Sequence, residues 1–436
     1  MHLPDYHGGS IVNLMRSIER ALDARPCEAA AAYPELNAIP AQSFSGARNI
    51  VLLVIDGLGY DYLTGAGAGG VLQRHLKARL TSVFPSTTAT AVSSFLTGVG
   101  PQQHALTGWH AWLRELGCVT ATLRFRPRHG GEPLSRAGIA ARSVYTAEPM
   151  FDRLAAKSYV VSPSKIIDSD YNLAHCGLAE RRPYQELPGL FSNVAEILAT
   201  GGERKFIHAY TYDFDETAHT HGSASPELQT KFRQIDAACA QFLDDIAGSG
   251  TLLIAVADHG FIDSPAPACV ELEDHPQLAQ MLMLPLCGER RAAYCYVQPG
   301  QDAAFEHYVQ TRLAHCASLH RSSDLIAQGW FGLGPAHPRL AERVGYYTLV
   351  MKDDYTIKDW ILGESRYLTV GVHGGVSAAE MYVPLMREHQ FIGALEIYYT
   401  ITERKKQLGK LLIQSSTVLI SLALGLSTAV LYLLFK

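Results

Sequence analysis

The sequence predicts an α/β protein: a doubly wound, mostly parallel sheet with inserted cap segments, followed by a C-terminal transmembrane helix. Three observations carry this. Three short runs are hydrophobic without a break, as strands buried on both faces are. Between them lie stretches with apolar residues at helical spacing, and that alternation builds a layered α/β sheet. Finally, residues 411–435 hold no charged side chain and sum to roughly +48 in hydropathy, against roughly +9 for the whole chain. The rest averages about −0.1, an ordinary globular value.

The elements follow in order. Ser10 suits the N-cap of a helix carrying Ile11, Leu14, Met15, Ile18 and Leu22 on one stripe. Arg16, Glu19 and Arg20 interrupt its apolar side, which predicts an amphipathic surface helix and not a secretory signal. Residues 49–55 form the first buried strand and end in Asp56-Gly57. Residues 206–210 form a second, leading into Asp213 and Asp215. Residues 225–247 read as a helix with Leu228, Phe232, Ile235, Phe242 and Ile246 on a common face. Residues 252–257 form the third strand and end in Asp258-His259-Gly260. In such sheets ligands bind beyond the carboxyl ends of strands, where these acids fall.

The stretch from about 110 to 205 is irregular and is expected to be a cap-like insertion within a body spanning residues 1–385. A second irregular stretch covers about 263–345. Residues 386–410 are expected to be a helical linker and 411–435 a membrane anchor, about 37 Å long as a helix against a bilayer core of about 30 Å. Arg404, Lys405, Lys406 and Lys410 precede that run and only Lys436 follows it, so the positive-inside rule predicts a cytoplasmic body.

Composition excludes several classes. A polytopic transporter, a disordered chain and a collagen-like fibre do not fit. With 37 basic and 42 acidic residues, the net charge of −5 argues against binding a nucleic-acid duplex. The eight cysteines include no CxxC pair and read as small buried residues in a reducing compartment, not a disulfide or zinc framework.

The chemistry concentrates in a few residues. Asp56 and Asp258-His259 each follow a strand. Asp215 and His219 are four apart, on one face if the segment is helical. His373 sits in Gly371-Val372-His373-Gly374-Gly375, where glycine permits close backbone approach. Carboxylates with imidazoles suit zinc, or manganese with more oxygen ligands, and three of each could hold two divalent ions with positions left for substrate. Such a pair stabilises both the entering and the leaving oxygen of a phosphoryl displacement. The hydroxyl-dense loop 81–90 runs into a predicted helix, whose N-terminus favours both a nucleophilic hydroxyl and a bound phosphate.

Four blocks in this order, Val54-Ile55-Asp56-Gly57, the 84–98 loop, 215–222, and Asp258-His259-Gly260 with His373-Gly374-Gly375, resemble the alkaline phosphatase superfamily. Within it they are most similar to the type I phosphodiesterase/nucleotide pyrophosphatase branch, over about residues 48–385. The resemblance implies an alkaline-phosphatase-like sheet and one metal on Asp215, His219 and His373. It implies a second on Asp56, Asp258, His259 and the nucleophile. In this branch the nucleophile precedes the glycine of a Thr-Gly pair by about ten residues, and counting back from Gly98 gives Thr88, with Thr87 and Ser86 as alternatives. The chain departs from the branch in two places. Its Val83-Phe84-Pro85-Ser86 replaces the usual Thr-Phe-Pro-Asn, and no Asn follows Thr88 to hold a phosphate oxygen, a role Thr90 could partly take.

The implied activity is metal-dependent hydrolysis of a phosphodiester or pyrophosphate, on a small-molecule or lipid substrate, through a covalent phospho-threonine. Headgroup transfer to a membrane lipid and an inactive tethered binding protein are the alternatives. His104, His110, His175, His208 and His221 are expected to be structural or surface residues and not ligands. Asp213 lacks the spacing to His219, and Tyr210, Tyr212, Trp109 and Trp112 suit pocket or core equally. The glycine run 64–70 lacks a Gly-Lys-Ser/Thr ending and reads as a turn.

Overall fold

The computed structural model describes residues 1–389; the expected anchor at 411–435, and the linker beyond 389, lie outside them. Among the described residues no helix is long and apolar enough to cross a membrane.

The elements that frame the structure are, in chain order, α1 (Ile11–Ala21), β1 (Asn49–Ile55), β2 (Leu76–Thr81), α2 (Thr88–Thr97), β3 (Lys157–Pro163), β4 (Glu180–Tyr184) and α3 (Leu187–Ala199). They continue with β5 (Lys205–Thr211), α4 (Asp213–His221), α5 (Pro226–Asp245), β6 (Thr251–Val256) and β7 (Tyr382–His389). One seven-stranded sheet runs β2-β7-β6-β1-β5-β3-β4. The five strands from β6 to β4 are parallel, whereas β2 and β7 pair antiparallel, so the sheet is mixed. Every residue of β1, β5 and β6 is buried, which is why each reads as a near-continuous apolar run, broken in β5 only by His208 after the leading Lys205. Ser225 caps α5 by accepting from the Leu228 N–H at 3.2 Å, and Leu228, Phe232, Ile235, Cys239 and Phe242 form its buried stripe.

Two expectations need correction. The stretch 110–205 is not one insertion, because β3 and β4 from its second half lie in the main sheet. Only its first part leaves that sheet, and it joins strands from the other irregular stretch and from just beyond it. His110–Leu113, Cys118–Ala121 and Arg126–Pro127 combine with Cys287–Gly288, Ala292–Cys295, Ala317–Arg321 and Tyr347–Met351 in a second sheet of seven strands. Its pairs are antiparallel, and the two halves meet where Gly288 stands opposite His110. The helix α1 keeps its Ser10 cap but is buried along most of its length, Glu19 included. Glu19 is tolerated inside because it accepts from Arg153, whose guanidinium also donates to Thr97 O at 2.8 Å.

A second buried ion pair connects the sheets. Arg291, beside the strand Ala292–Cys295, donates through Nε and Nη2 to the two carboxylate oxygens of Glu380 at 3.1 and 3.0 Å. Both side chains are almost fully buried. Glu380 Oε1 also accepts from the Gly375 N–H at 2.8 Å, which fixes the loop that follows His373. Removing one partner of such a pair strands the other charge, at a cost of about 3–5 kcal/mol. Glu380→Ala should therefore lower the unfolding free energy by about that much in a denaturant titration, and Arg291→Met with Glu380→Leu should recover most of it. A loss under about 1 kcal/mol for the single variant would show that the pair does not hold the sheets together.

Candidate active site

Strand register assembles the site. Ile55 stands opposite Thr211, and Val54 opposite Val256, so the residues that follow β1, β5 and β6 leave the sheet side by side. Asp56 follows β1, and Asp258 and His259 follow β6. The helix α4 presents Asp215 and His219 one turn apart, with His219 Nε2 3.5 Å from Asp215 Oδ1. Asp213 sits away from this group, 3.6 Å from Lys231 Nζ. His373 follows a two-residue strand, Gly371–Val372, that pairs with Ile262–Asp263.

Close approach demands glycine at two of these corners. Gly57 has φ +77°, and a Cβ there would fall 2.4 Å from the Phe261 ring. Gly374 has φ +103°, and its Cβ would fall 2.8 Å from Glu289 Cβ.

All six acid and imidazole side chains come together. His259 Nε2 lies 3.2 Å from Asp56 Oδ1, 3.5 Å from Asp258 Oδ2 and 3.9 Å from Asp215 Oδ1. His373 Nε2 lies 3.2 Å from His219 Nε2 and 3.9 Å from Asp215 Oδ1. His259 stacks on His373 with ring centroids 3.7 Å apart. Nδ1–H of His259 donates to Gly260 O at 3.1 Å and that of His219 to Gly371 O at 2.8 Å, which turns the Nε2 lone pairs inward. The Asp258 Oδ1 atom accepts from the N–H groups of Gly57 and His259, both at 3.0 Å. Tyr210 donates its hydroxyl to Asp56 Oδ2.

The remaining oxygens are left over. Asp56 Oδ1, Asp215 Oδ1 and Asp258 Oδ2 are buried and accept no hydrogen bond from the described residues. Burial, then the charge of Asp215, pushes the Asp56 carboxyl up to about 8. Burial and Asp56 push Asp258 up to about 8, and burial pushes Asp215 up to about 7. Burial and the neighbouring imidazoles hold His373 well below the usual histidine range. Buried acceptors facing inward lone pairs are a donor set that fits a divalent cation. Two overlapping groups, Asp56-Asp258-His259 and Asp215-His259-His373, each gather their ligand atoms within 4.8 Å. His259 thus stands between the groups, and His219 adjoins the second.

Thr88 is the first residue of α2, and its Oγ1 lies 3.1 Å from His259 Nε2. The alternatives are engaged elsewhere: Thr87 Oγ1 donates to Glu289 Oε1 and Ser86 Oγ to Gly375 O, both at 2.8 Å. No side chain caps α2, which leaves its first N–H groups without a side-chain acceptor. Thr90 is fully buried. A cavity of about 470 Å³ opens from Thr88, Asp215, His219 and His373 towards Trp109 and Arg290.

Glu289 and the outer cavity residues escape sequence reasoning because they lie in irregular stretches with no motif. Burial pushes the Glu289 carboxyl up to about 7, and it accepts from Thr87 and from the Trp109 N–H at 2.6 Å. The histidines set aside divide. His104 is bonded to Ser94 and Leu106, His175 to Tyr171 O, and His221 is exposed, whereas His110 lines the cavity. The glycine run is a turn whose following N–H groups, on Val71 and Leu72, donate to Asp236 at 2.9 and 2.8 Å, a carboxylate in the place of any phosphate.

The family described as type I phosphodiesterase / nucleotide pyrophosphatase matches residues 50–376. No curated protein matches the chain. Among solved structures, human ectonucleotide pyrophosphatase / phosphodiesterase 5 is similar with a TM-score of 0.58 at 16% identity, covering 78% of this chain and 87% of that one. The murine protein, solved in an inactive form with AMP, gives 0.56 at 17% identity over 77% and 87% of the two chains. Phosphonoacetate hydrolase from Sinorhizobium meliloti, solved with phosphonoacetate, gives 0.58 at 16% identity over 78% and 90%.

The crowded carboxyls would make any binding of a divalent ion here pH-dependent. Their folded-state pKa values lie above the unfolded ones near 4, so without metal the folded state holds extra protons and loses stability as pH rises from about 4 to about 8. A divalent ion must displace those protons below about pH 7 and meets fewer of them as pH rises past about 8. The rise in Tm on adding manganese or zinc should be larger at pH 8.5 than at pH 6, with proton release at pH 6 seen by calorimetry in buffers of different ionisation enthalpy. Equal gains at both pH values would refute this account.

Proposed function

The chain belongs to the type I phosphodiesterase / nucleotide pyrophosphatase family of the alkaline phosphatase superfamily, and from that premise we propose that it hydrolyses a phosphodiester or pyrophosphate with Thr88 as nucleophile. The observation that carries the reading is the placement of the Thr88 hydroxyl: at the N-terminus of α2, lining the cavity, 3.1 Å from His259 Nε2.

Each part has a role on this reading. Asp56, Asp258 and His259 would hold one divalent ion, and Asp215, His219 and His373 would hold a second, zinc or manganese. When bound, such ions supply Lewis acidity, which lowers the pKa of a hydroxyl and offsets charge on phosphoryl oxygens. Thr88 gives up its Oγ1 proton to solvent, where it neutralises the hydroxide left when the leaving group is protonated, and attacks phosphorus in line, forming an O–P bond as the bond to the leaving oxygen breaks. The leaving oxygen takes a proton from water. A second water then attacks phosphorus from the opposite side, frees the phosphate and returns the threonine hydroxyl. The uncapped N–H groups at the start of α2 are placed to hold a phosphoryl oxygen, in the role that an Asn fills elsewhere in the branch. Tyr210 orients Asp56 through its hydrogen bond to Oδ2.

We further read residues 411–435 as a single-pass anchor with the catalytic body on the cytoplasmic side, which would place the substrate at or near a membrane. The basic residues before that run and its uncharged length support this.

Thr88→Ala should lower kcat on an aryl phosphodiester at least about a thousandfold while manganese or zinc content stays unchanged, whereas Thr87→Ala and Ser86→Ala should keep measurable turnover. Near-normal turnover in Thr88→Ala would remove it as nucleophile. A chain ending at Glu403 should leave the membrane fraction, and its retention there would show that 411–435 is not the anchor.

A further inference from the structure

The wall of the cavity beyond the acidic floor has the opposite charge. Five cations line it, Arg124, Arg126, Arg128, Arg290 and Lys358, against three carboxylates, Asp359, Glu364 and Glu289. Most of that negative charge is already used. Arg128 donates to Asp359 Oδ1 at 2.7 Å and to both oxygens of Glu364, at 3.0 and 2.9 Å. Glu289 is turned to Thr87 and the Trp109 N–H. Lys358 shares Glu364 with Arg128, at 3.5 Å.

The other three cations have no carboxylate partner among the described residues. Arg290 donates only to neutral groups, Thr369 Oγ1 at 3.3 Å and Tyr367 O at 3.2 Å, and lies over the Tyr367 ring. Arg124 lies over the Trp109 ring, 5.7 Å from its centroid. Arg126 sits on the short strand Arg126–Pro127, half-buried and without an ion pair. Like charges gathered on one wall repel, and burial together with Arg128 holds the Lys358 ammonium below its usual range. Two guanidinium groups laid on aromatic rings keep their planes fixed and leave N–H edges for an oxyanion.

Resting on the phosphoesterase reading, we propose that the substrate carries a second anionic group, phosphate or carboxylate, beyond the reacting phosphorus, and that Arg124, Arg126, Arg290 and Lys358 bind it. The floor handles the reacting group and the wall selects what is attached to it. A cavity of about 470 Å³ admits a small molecule and no duplex. The same wall repels a substrate whose second arm ends in a quaternary ammonium.

The test uses the full chain loaded with manganese or zinc and a set of 4-nitrophenyl phosphodiesters. Their second arm is a neutral aryl group, or ends in a carboxylate, a phosphate or a trimethylammonium. Wild-type kcat/KM should favour the anionic arms over the neutral one by at least about tenfold, with the cationic arm the poorest. The larger of the two anionic preferences identifies phosphate or carboxylate as the group held. In Arg126→Gln and Arg290→Gln the ratio of anionic to neutral arm should fall by about tenfold. No anionic preference in the wild type, or a ratio unmoved by both variants, overturns the proposal. A binding arm separates it from the catalytic reading. After chelation of divalent ions the floor carries no cation to hold phosphate, so inorganic phosphate titrated into the full chain should bind at the wall, and at least about fivefold more weakly in the double variant. Binding of that kind without cleavage of any diester keeps the anion site and removes the diesterase. Diester cleavage with no such binding does the reverse.

Discussion

Three carboxylates held within a few ångströms of one another, out of water, are the constraint around which this protein is arranged. Asp56, Asp258 and Asp215 are there because three central strands end in register, and burial with mutual repulsion lifts all three above the ordinary carboxylate range. The surroundings relieve part of the cost. Tyr210 donates to one oxygen of Asp56, and two backbone N–H groups donate to one oxygen of Asp258. One oxygen on each acid is left without a donor, and these three point at the histidine nitrogens. A native structure keeps such atoms unpaired where something else satisfies them.

The second sheet answers a different need. The floor of the cavity comes from the ends of parallel strands, whereas the wall comes from the antiparallel sheet and the segments around it. The Arg291–Glu380 pair couples the two, because Glu380 also holds the Gly375 N–H two residues after His373. Chemistry and selection thereby occupy separate layers of one fold, in keeping with the rule that a site, not the fold, sets the substrate.

How much could be read beforehand follows from how local each signal is. The strands β1, β5 and β6 announce themselves because burial on both faces leaves runs that are almost wholly apolar, His208 in β5 apart, and a buried acid or a turn into α4 follows each. The four-residue spacing of Asp215 and His219 is a property of one helix turn. The second sheet has no such signature. Its strands are short, some alternate in burial, and the two halves pair across about 180 residues of sequence, so no single window holds the pattern. The burial of α1 depends on Arg153 reaching Glu19, a partner that spacing within the helix cannot show. Arg124, Arg126 and Arg290 read as ordinary polar loop residues until the fold sets them on one wall.

The seam at which Gly288 meets His110 joins segments about 180 residues apart in the sequence. Closing so long a loop costs entropy before its contacts give anything back, and sheets of this kind form late. A chain emerging from the ribosome has Asp56, Asp215, Asp258 and His259 available well before residues 290 and 358 exist, and His373 arrives last of all. The wall is therefore begun by Arg124 and Arg126 before two of the floor's carboxylates are made, is finished by Arg290 and Lys358 after them, and His373 completes the floor last.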